Sequence, residues 1–188
     1  GVDTTLVGNL IKAARVWTEN YLNRTLINTV YKLSLDGIDE IDMPLKEGIY
    51  TAPYNISYIN YIELPRSPVS SVSSVKYFSD DNTESTWATS NYFVDTVREP
   101  ARIVLRDGGS WPTDLRNANG IEVNYTAGYG TNTTDVPEAI RVAMLEYITF
   151  LYEHRGDDEG RRLEPTPMIK SLLQSYIIMR YGKSAFGG

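Results

Sequence analysis

The sequence predicts an α+β protein in which a β-rich antiparallel block is inserted into a small helical bundle. Two observations carry this prediction. Near both ends of the chain, apolar residues recur every three or four positions, which is the period of an amphipathic helix. Between them, residues 26–130 are dense in Tyr, Val, Ile, Thr and Ser and are interrupted by Gly, Pro, Asn and Asp, as in a series of short strands. One N-terminal and two C-terminal helices must then pack together to bury their apolar stripes.

The N-terminal helix is predicted from an apolar stripe that runs from Leu6 to Tyr21 and includes Leu10, Ala14 and Trp17. Asp3 or Thr4 is the expected N-cap, because a short polar side chain there accepts a hydrogen bond from the first helical turn. The bundle as a whole is expected to use residues 3–24 and 135–182.

The β-rich block contains six segments with strand composition, each four to seven residues long. In chain order they are TVYKLSL, YINYIEL, SVKYF, YFVD, RIVLR and IEVNYTA. Residues 36–58 are the least regular part, and we expect a long loop or an extra hairpin there.

The two C-terminal helices have recognisable start and stop signals. The first is expected to be capped by Asp135, with Pro137 in its first turn, and to end at Gly156. The second is expected to begin after Thr166 as N-cap and to continue to Gly182. Residues 183–188 are expected to form a flexible tail, and residues 1–188 a single domain.

Composition excludes several classes of function. The chain has 188 residues, a net charge of −6 and no cysteine, so thiol nucleophiles and thiolate metal sites are excluded. The charge has the wrong sign for a broad surface that grips phosphates. No apolar run reaches the roughly 18 residues that a membrane span needs, and no signal peptide is visible. We therefore expect a soluble protein without a membrane partner, made in a cytoplasm.

The run LYEHRGDDEGRR holds the single histidine of the chain, His154, among many ionisable groups. Catalytic groups must converge on one substrate atom, and neighbours in one run rarely do so. We interpret the run as the end of a helix, where His154 and Arg155 complement the helix dipole, followed by a solvated loop. Nothing else in the sequence marks a nucleophile, so the prediction is a protein that is not an enzyme.

Other ligand sites are weakly indicated. The stretches DGIDEID and SDDN offer oxygen ligands, but they lack the spacing of a calcium loop and are interpreted as turns. Trp87 and Trp111 could stack on sugars, which leaves a carbohydrate- or receptor-binding module as the main alternative function. A hydrolase that uses Asp or Glu is a third possibility. No metal and no cofactor are predicted.

Several stretches, taken in order, resemble the head-tail connector, or adaptor, proteins of tailed bacteriophages. They are ARVWTENYLNRTL, IELPRSPVSSVSSVKYFSDDN, YFVD, WP, IEVNYTAGYG, VPEAIRVAMLEYITFLYEHRG and MIKSLLQSYIIMRYG. The two most specific run from LPRSPV to SVSSVKY, and from AGYG through VPEAI to LYEHR. The resemblance covers nearly the whole chain and departs at residues 36–58, where the family is expected to have a shorter connection.

The resemblance implies a structural virion protein of the neck, between portal and tail. Its expected partners are further copies of itself in a ring of twelve, the portal protein, and a stopper or tail-completion protein. Double-stranded DNA would pass through the lumen without specific binding, which suits an acidic or neutral lining. The residues expected to contact the portal or a neighbouring subunit are Arg161, Arg162, Tyr176, Arg180, Tyr181, Lys183 and Phe186.

Overall fold

The structure, a computed structural model, describes residues 4–37, 61–154 and 164–178. Within these ranges the chain forms three α-helices and seven β-strands. In chain order they are α1 (Thr4–Leu22), β1 (Thr29–Leu35), β2 (Tyr61–Glu63), β3 (Val69–Phe78), β4 (Glu84–Thr86), β5 (Tyr92–Asp95), β6 (Arg102–Leu105), β7 (Ile121–Ala127), α2 (Glu138–Glu153) and α3 (Pro167–Leu173). The predicted α+β class, with a helical part and an inserted antiparallel β part, is confirmed.

The described residues separate into two compact units. The helical unit takes its described residues from Gly1–Thr29, Arg66–Pro68 and Ala127–Gly188, and the β unit takes its own from Val30–Pro65 and Val69–Thr126. The β unit is therefore an insertion between α1 and α2. That residues 1–188 act as one domain stays a prediction.

The helical unit is held together by the apolar faces of its three helices. Helix α1 packs against α2, and α2 packs against α3. On α1 the fully buried positions are Ala14, Thr18 and Leu22, which are spaced four apart on one face. Trp17 adds an aromatic contact, because its ring centroid lies 4.9 Å from that of Tyr147 on α2. The predicted α1 stripe is thus centred close to its expected line, while the possible cap Asp3 lies outside the described residues.

The start of α2 corrects one prediction. Asp135 does not cap α2; it belongs to a preceding 3₁₀ turn, where its carboxylate accepts a hydrogen bond from the backbone N–H of Asn132 at 2.8 Å. The N-cap position of α2 is Pro137, which has no side-chain acceptor to offer. Asn132 and Asp135 therefore stabilise the turn before α2 and do not cap the helix itself.

The end of α3 corrects another. Thr166 is its N-cap, as predicted, and its hydroxyl accepts from the N–H of Ile169 at 3.4 Å. The helix ends at Leu173, however, and after a 3₁₀ turn the backbone is extended at Ile177. There the N–H of Ile178 donates to the carbonyl of Leu22 at 3.1 Å, at the end of α1. Hydrogen bonds to α1 replace the helical continuation that periodicity predicted up to residue 182.

The β unit contains two sheets. One has the strand order β1-β7-β3-β4, and the other has the order β2-β6-β5. Strand β4 pairs antiparallel with β3, and both pairs of the second sheet are antiparallel. All six predicted strands are found. Strand β2 ends one residue before the end of YINYIEL, whose first three residues lie outside the described ranges, and β3 is longer than SVKYF. The short strand β4 is not foreseen, and most of the irregular stretch 36–58 lies outside the described residues.

Strand β7 shows the alternation expected of a strand with one face in a core. Its odd positions from Ile121 to Ala127 are buried and its even positions are partly exposed. Tyr125 is fully buried and stacks on Tyr31 of β1, with ring centroids 5.7 Å apart. One face of the four-stranded sheet is thus apolar, and the other carries polar side chains.

Candidate assembly surfaces

Most of the residues predicted to contact a portal or a neighbouring subunit lie outside the described part of the chain. These are Arg161, Arg162, Arg180, Tyr181, Lys183 and Phe186. Tyr176 is described: it is half-buried against the core of the helical unit, and its carbonyl oxygen accepts a hydrogen bond from Arg24 Nε at 2.6 Å. The interface role of all seven residues stays a prediction.

His154 ends α2, as the sequence indicates. Its backbone N–H donates to the carbonyl of Phe150 at 3.2 Å, and its Nδ1 donates to the same oxygen at 2.8 Å. The imidazole also lies against the Phe150 ring, with centroids 4.3 Å apart. The histidine therefore serves as a helix cap, which confirms the interpretation for this part of the run, and residues 155–162 of the run lie outside the described residues.

The SDDN stretch forms a turn, as expected. Asp81 Oδ1 accepts hydrogen bonds from the Ser79 hydroxyl at 2.8 Å and from the Thr83 backbone N–H at 2.9 Å. The Thr83 N–H is the main cause that lowers the pKa of Asp81, and the Ser79 hydroxyl adds to it. Among the described residues, no three His, Asp or Glu side chains come together in a way that could hold a metal ion.

The tryptophans that could have formed a sugar platform are used inside the β unit. Trp87 is only 5% exposed and lies between two other rings, Tyr92 at 4.9 Å and Trp111 at 4.8 Å between centroids. A ring with both faces covered cannot stack on a ligand. The sequence-based alternative of a platform built on Trp87 and Trp111 is therefore wrong for Trp87.

A ladder of alternating charges crosses the polar face of the four-stranded sheet. Lys32 Nζ on β1 lies 2.8 Å from Glu122 Oε2 on β7, and Lys76 Nζ on β3 lies 2.7 Å from Glu84 Oε1 on β4. Glu122 and Lys76 also attract each other across the middle of the ladder. Hydrogen bonding to Lys32, followed by that to Asn124, lowers the pKa of Glu122, and hydrogen bonding to Glu84 raises the pKa of Lys76. The charges of this face are thus largely matched within the protein.

The ladder predicts how stability depends on pH. Because the pKa of Glu122 is lower in the folded than in the unfolded chain, its contribution is complete above the unfolded pKa and is lost as the pH falls through the folded pKa. The Glu122→Gln variant should therefore lose up to about 1 kcal/mol of unfolding free energy at pH 7. Its stability should also fall less steeply than that of the wild type on acidification below about pH 4.5.

Urea unfolding followed by circular dichroism between pH 3 and pH 7 tests this prediction. The matched control is Glu63→Gln, an exposed carboxylate on β2 that makes no ion pair within the described ranges. Equal slopes for Glu122→Gln and the wild type would contradict the assignment of the pH dependence to the ladder.

Basic side chains of the β unit are mostly held by acceptors of the protein itself. Its described part contains ten acidic and six basic residues, so it is the acidic unit. Besides the two lysines of the ladder, Arg102 binds Asp95 Oδ2 at 2.9 Å, and Arg106 donates to the carbonyl of Tyr92 at 2.8 Å. Arg116 donates to the carbonyl of Asn119 at 2.9 Å. This arrangement leaves little positive charge to hold a phosphate backbone.

The outer faces of α1 and α2 are exposed and carry apolar side chains among charged ones. On α1, Val16 is 56% exposed, and Lys12, one turn before it on the same face, is exposed as well. On α2, Leu145 is 64% exposed and is followed by exposed Glu146. Sequence reasoning missed both faces, although one signal was available: Val16 and Leu145 are large apolar residues on the polar side of an amphipathic helix.

The fold is that of an α+β protein with an inserted β unit, and among its described residues the outer faces of α1 and α2 carry exposed apolar side chains. The sequence matches no protein-family model and no curated protein. No helix in the described ranges has the length and apolarity to cross a membrane.

Solved structures do share the fold. The chain is similar to one in the virion of a native gene transfer agent particle, with a TM-score of 0.72 and 17% identity over 98% of this chain and 82% of that one. It is also similar to a chain in the neck of an empty gene transfer agent particle computed with C6 symmetry, with a TM-score of 0.71 and 19% identity over 98% and 83% of the two chains. A third match is to the neck of the native particle computed with C12 symmetry, with a TM-score of 0.69, 19% identity and coverage of 97% and 87%.

Proposed function

We propose that the protein is a ring-forming head-tail connector of a phage-like particle. In this role it docks on the portal, lengthens the DNA channel and provides the surface to which a stopper or tail attaches. It would reside in the neck of the virion and be made in the cytoplasm of the host. The protein acts by assembly and not by catalysis.

One observation carries the proposal: this fold, over nearly its whole length, is that of chains found in the neck of gene transfer agent particles. Those necks were computed with sixfold and twelvefold symmetry, which supports a ring of twelve subunits here. The likeness in fold agrees with the stretches of sequence that resemble phage connectors.

The electrostatics of the β unit support the passage of DNA without binding. DNA is held where lysine and arginine side chains neutralise phosphates. Here the acidic residues outnumber the basic ones in the described β unit, and most of its basic side chains already have partners in the protein. A ring of such subunits would repel DNA from its wall and let it slide.

Electron microscopy of the purified protein, alone and mixed with the portal protein of the same particle, tests the proposal. The expected images are rings of twelve, or portals capped by a ring. A protein that stays monomeric and never binds the portal would contradict the proposal. Specific binding to glycans, retained in a Trp111→Ala variant that folds normally, would instead favour a receptor-binding module that uses other residues.

A further inference from the structure

We propose that neighbouring subunits join head to tail through the outer faces of α1 and α2, so that α1 of one copy packs against α2 of the next. This inference rests on the proposed ring and names the surfaces that build it. The partner is therefore a second copy of this chain.

The two faces point away from the same core. Val16 lies between the buried residues Ala14 and Thr18, and it is separated from each by two positions, or about 200° around the helix. Leu145 lies in the same way between Ala143 and Tyr147. Of these buried residues, Ala14, Ala143 and Tyr147 belong to one apolar cluster. Val16 and Leu145 consequently project from opposite sides of the packed pair of helices.

Opposite faces are what a ring requires. A ring is built from heterologous contacts, in which one surface of each subunit meets a different surface of the next. If both faces lay on one side of the subunit, association through them would stop at a dimer. In the helical unit the two faces lie on opposite sides instead, one on α1 and the other on α2.

The charges of the two faces are complementary. On α1, Glu19 is occupied by Arg15 at 3.2 Å and by the backbone N–H of Leu26 at 2.9 Å, which leaves Lys12 as the cation without an ion pair in the described residues. On α2, Glu138 pairs with Arg141, and Glu146 has no ion pair within the same ranges. A contact between α1 and α2 therefore brings opposite charges together, whereas α1 on α1 or α2 on α2 would bring like charges together.

The apolar side chains complete the match. Val16 lies one turn after Lys12 on α1, and Leu145 precedes Glu146 on α2, so that each face has an apolar side chain next to a charge. Interfaces commonly gain their affinity from a few apolar anchors, while charges at their margin set orientation and choice of partner. The Leu145 side chain of one copy would lie against Val16 of the next.

Engineered cysteines test this contact directly, because the chain has no cysteine of its own. The full-length Val16→Cys/Leu145→Cys double variant should form, on mild oxidation, a ladder of covalent oligomers on a denaturing gel, up to the size of the closed ring. The single variants should stay monomeric. The control is the Val97→Cys/Leu145→Cys double variant, which should form no such ladder. Position 97 is 96% exposed on the β unit, so a cysteine there would be highly reactive without lying in the proposed contact.

A charge exchange gives a second readout. Lys12→Glu alone and Glu146→Lys alone should each weaken ring assembly about tenfold, as measured by the protein concentration needed for half-assembly in light scattering. The Lys12→Glu/Glu146→Lys combination should restore assembly, because the attraction is then rebuilt with the signs reversed. Restoration would not occur if these side chains served only the stability of the monomer.

The outcomes separate this inference from the proposed function. Rings in the microscope without a ladder, or a ladder equally strong in the Val97 control, would overturn the assignment of the interface and leave the ring intact. Dimers from Leu145→Cys alone would also overturn it, since they show an α2–α2 contact. Absence of both rings and portal binding in the wild type would overturn the proposed function, and the inference with it.

Discussion

The Trp87→Ala variant is expected to lose about 4 kcal/mol of unfolding free energy, the largest effect that we predict for a single substitution. Trp87 is almost fully buried, stacks on both Tyr92 and Trp111, and is tied to β3 by a hydrogen bond from its backbone N–H to the Val75 carbonyl at 2.8 Å. Removing the indole leaves a large cavity and two rings without their stacking partner. Chemical denaturation followed by circular dichroism measures the loss.

Trp111→Ala is the matched control for this prediction. Trp111 is only partly buried and lies at the end of the stack, so its removal should lower the unfolding free energy by roughly half as much. Equal losses would show that the stack does not have Trp87 at its centre. The comparison also bears on the sugar-binding alternative, because a loss of glycan binding in Trp87→Ala would reflect unfolding and only Trp111→Ala could report on a platform.

The Gly128→Ala variant is expected to lose about 3 kcal/mol, which in a chain of this size lowers the melting temperature by roughly 10 °C. Gly128 is the first glycine of the AGYG stretch and has a φ of +142°, a conformation that only glycine adopts readily. A methyl group on its Cα would lie 2.6 Å from the Asn28 Cα and would also collide with the Asn28 nitrogen. Both obstacles are backbone atoms, so the chain itself would have to move.

Two glycines elsewhere separate the causes of that loss. Gly108 has a φ of +75° but open space around its Cα, so Gly108→Ala should lower the unfolding free energy by only about 1 kcal/mol. Gly8 lies within α1 with open space as well, and Gly8→Ala should raise the unfolding free energy by up to about 1 kcal/mol. Scanning calorimetry on all three variants makes the comparison. A loss at Gly128 no larger than that at Gly108 would contradict the close backbone approach.

The sequence pattern predicted those helices and strands in which buried and exposed residues alternate regularly. Strand β7 alternates between core and solvent at every residue, and α1 buries every fourth residue over its second half, so both could be located from periodicity alone. Strand β4 has three residues, none of them buried, and therefore no pattern to detect. It exists because it pairs with β3, at the far side of the turn around Asp81.

The errors at helix ends arose from contacts that are remote in sequence. The continuation of α3 competes with hydrogen bonds at the end of α1, including one from Nδ2 of Asn23, the residue after the helix, to the Ile178 carbonyl at 3.2 Å. Helical period cannot reveal a partner that lies about 150 residues earlier. Asp135 was assigned to α2 because it has the chemistry of a cap, but the turn before α2 offered the nearer donor in Asn132.

The candidate surfaces were predictable only in part. Charge and the single histidine indicated correctly that the described part of the run, up to His154, belongs to a helix terminus, since His154 caps α2. The faces around Val16 and Leu145 were not identified from the sequence. Single apolar residues are common on the polar side of a helix, and only the packing of the helices shows where these two lie. Only when the helices are packed do the two residues stand on opposite sides of one core.

The insertion of the β unit has a consequence for synthesis of the chain. Helix α1 packs against α2, whose first residue follows more than a hundred positions later. During synthesis α1 therefore leaves the ribosome before its packing partner has been made. At about 5–20 residues per second this delay lasts roughly 6–23 s. The four-stranded sheet of the β unit is itself complete only when β7 has been made, shortly before α2. We expect the order of folding to control assembly, because a nascent chain that has not yet completed α2 lacks one of the two sides by which it could enter a ring.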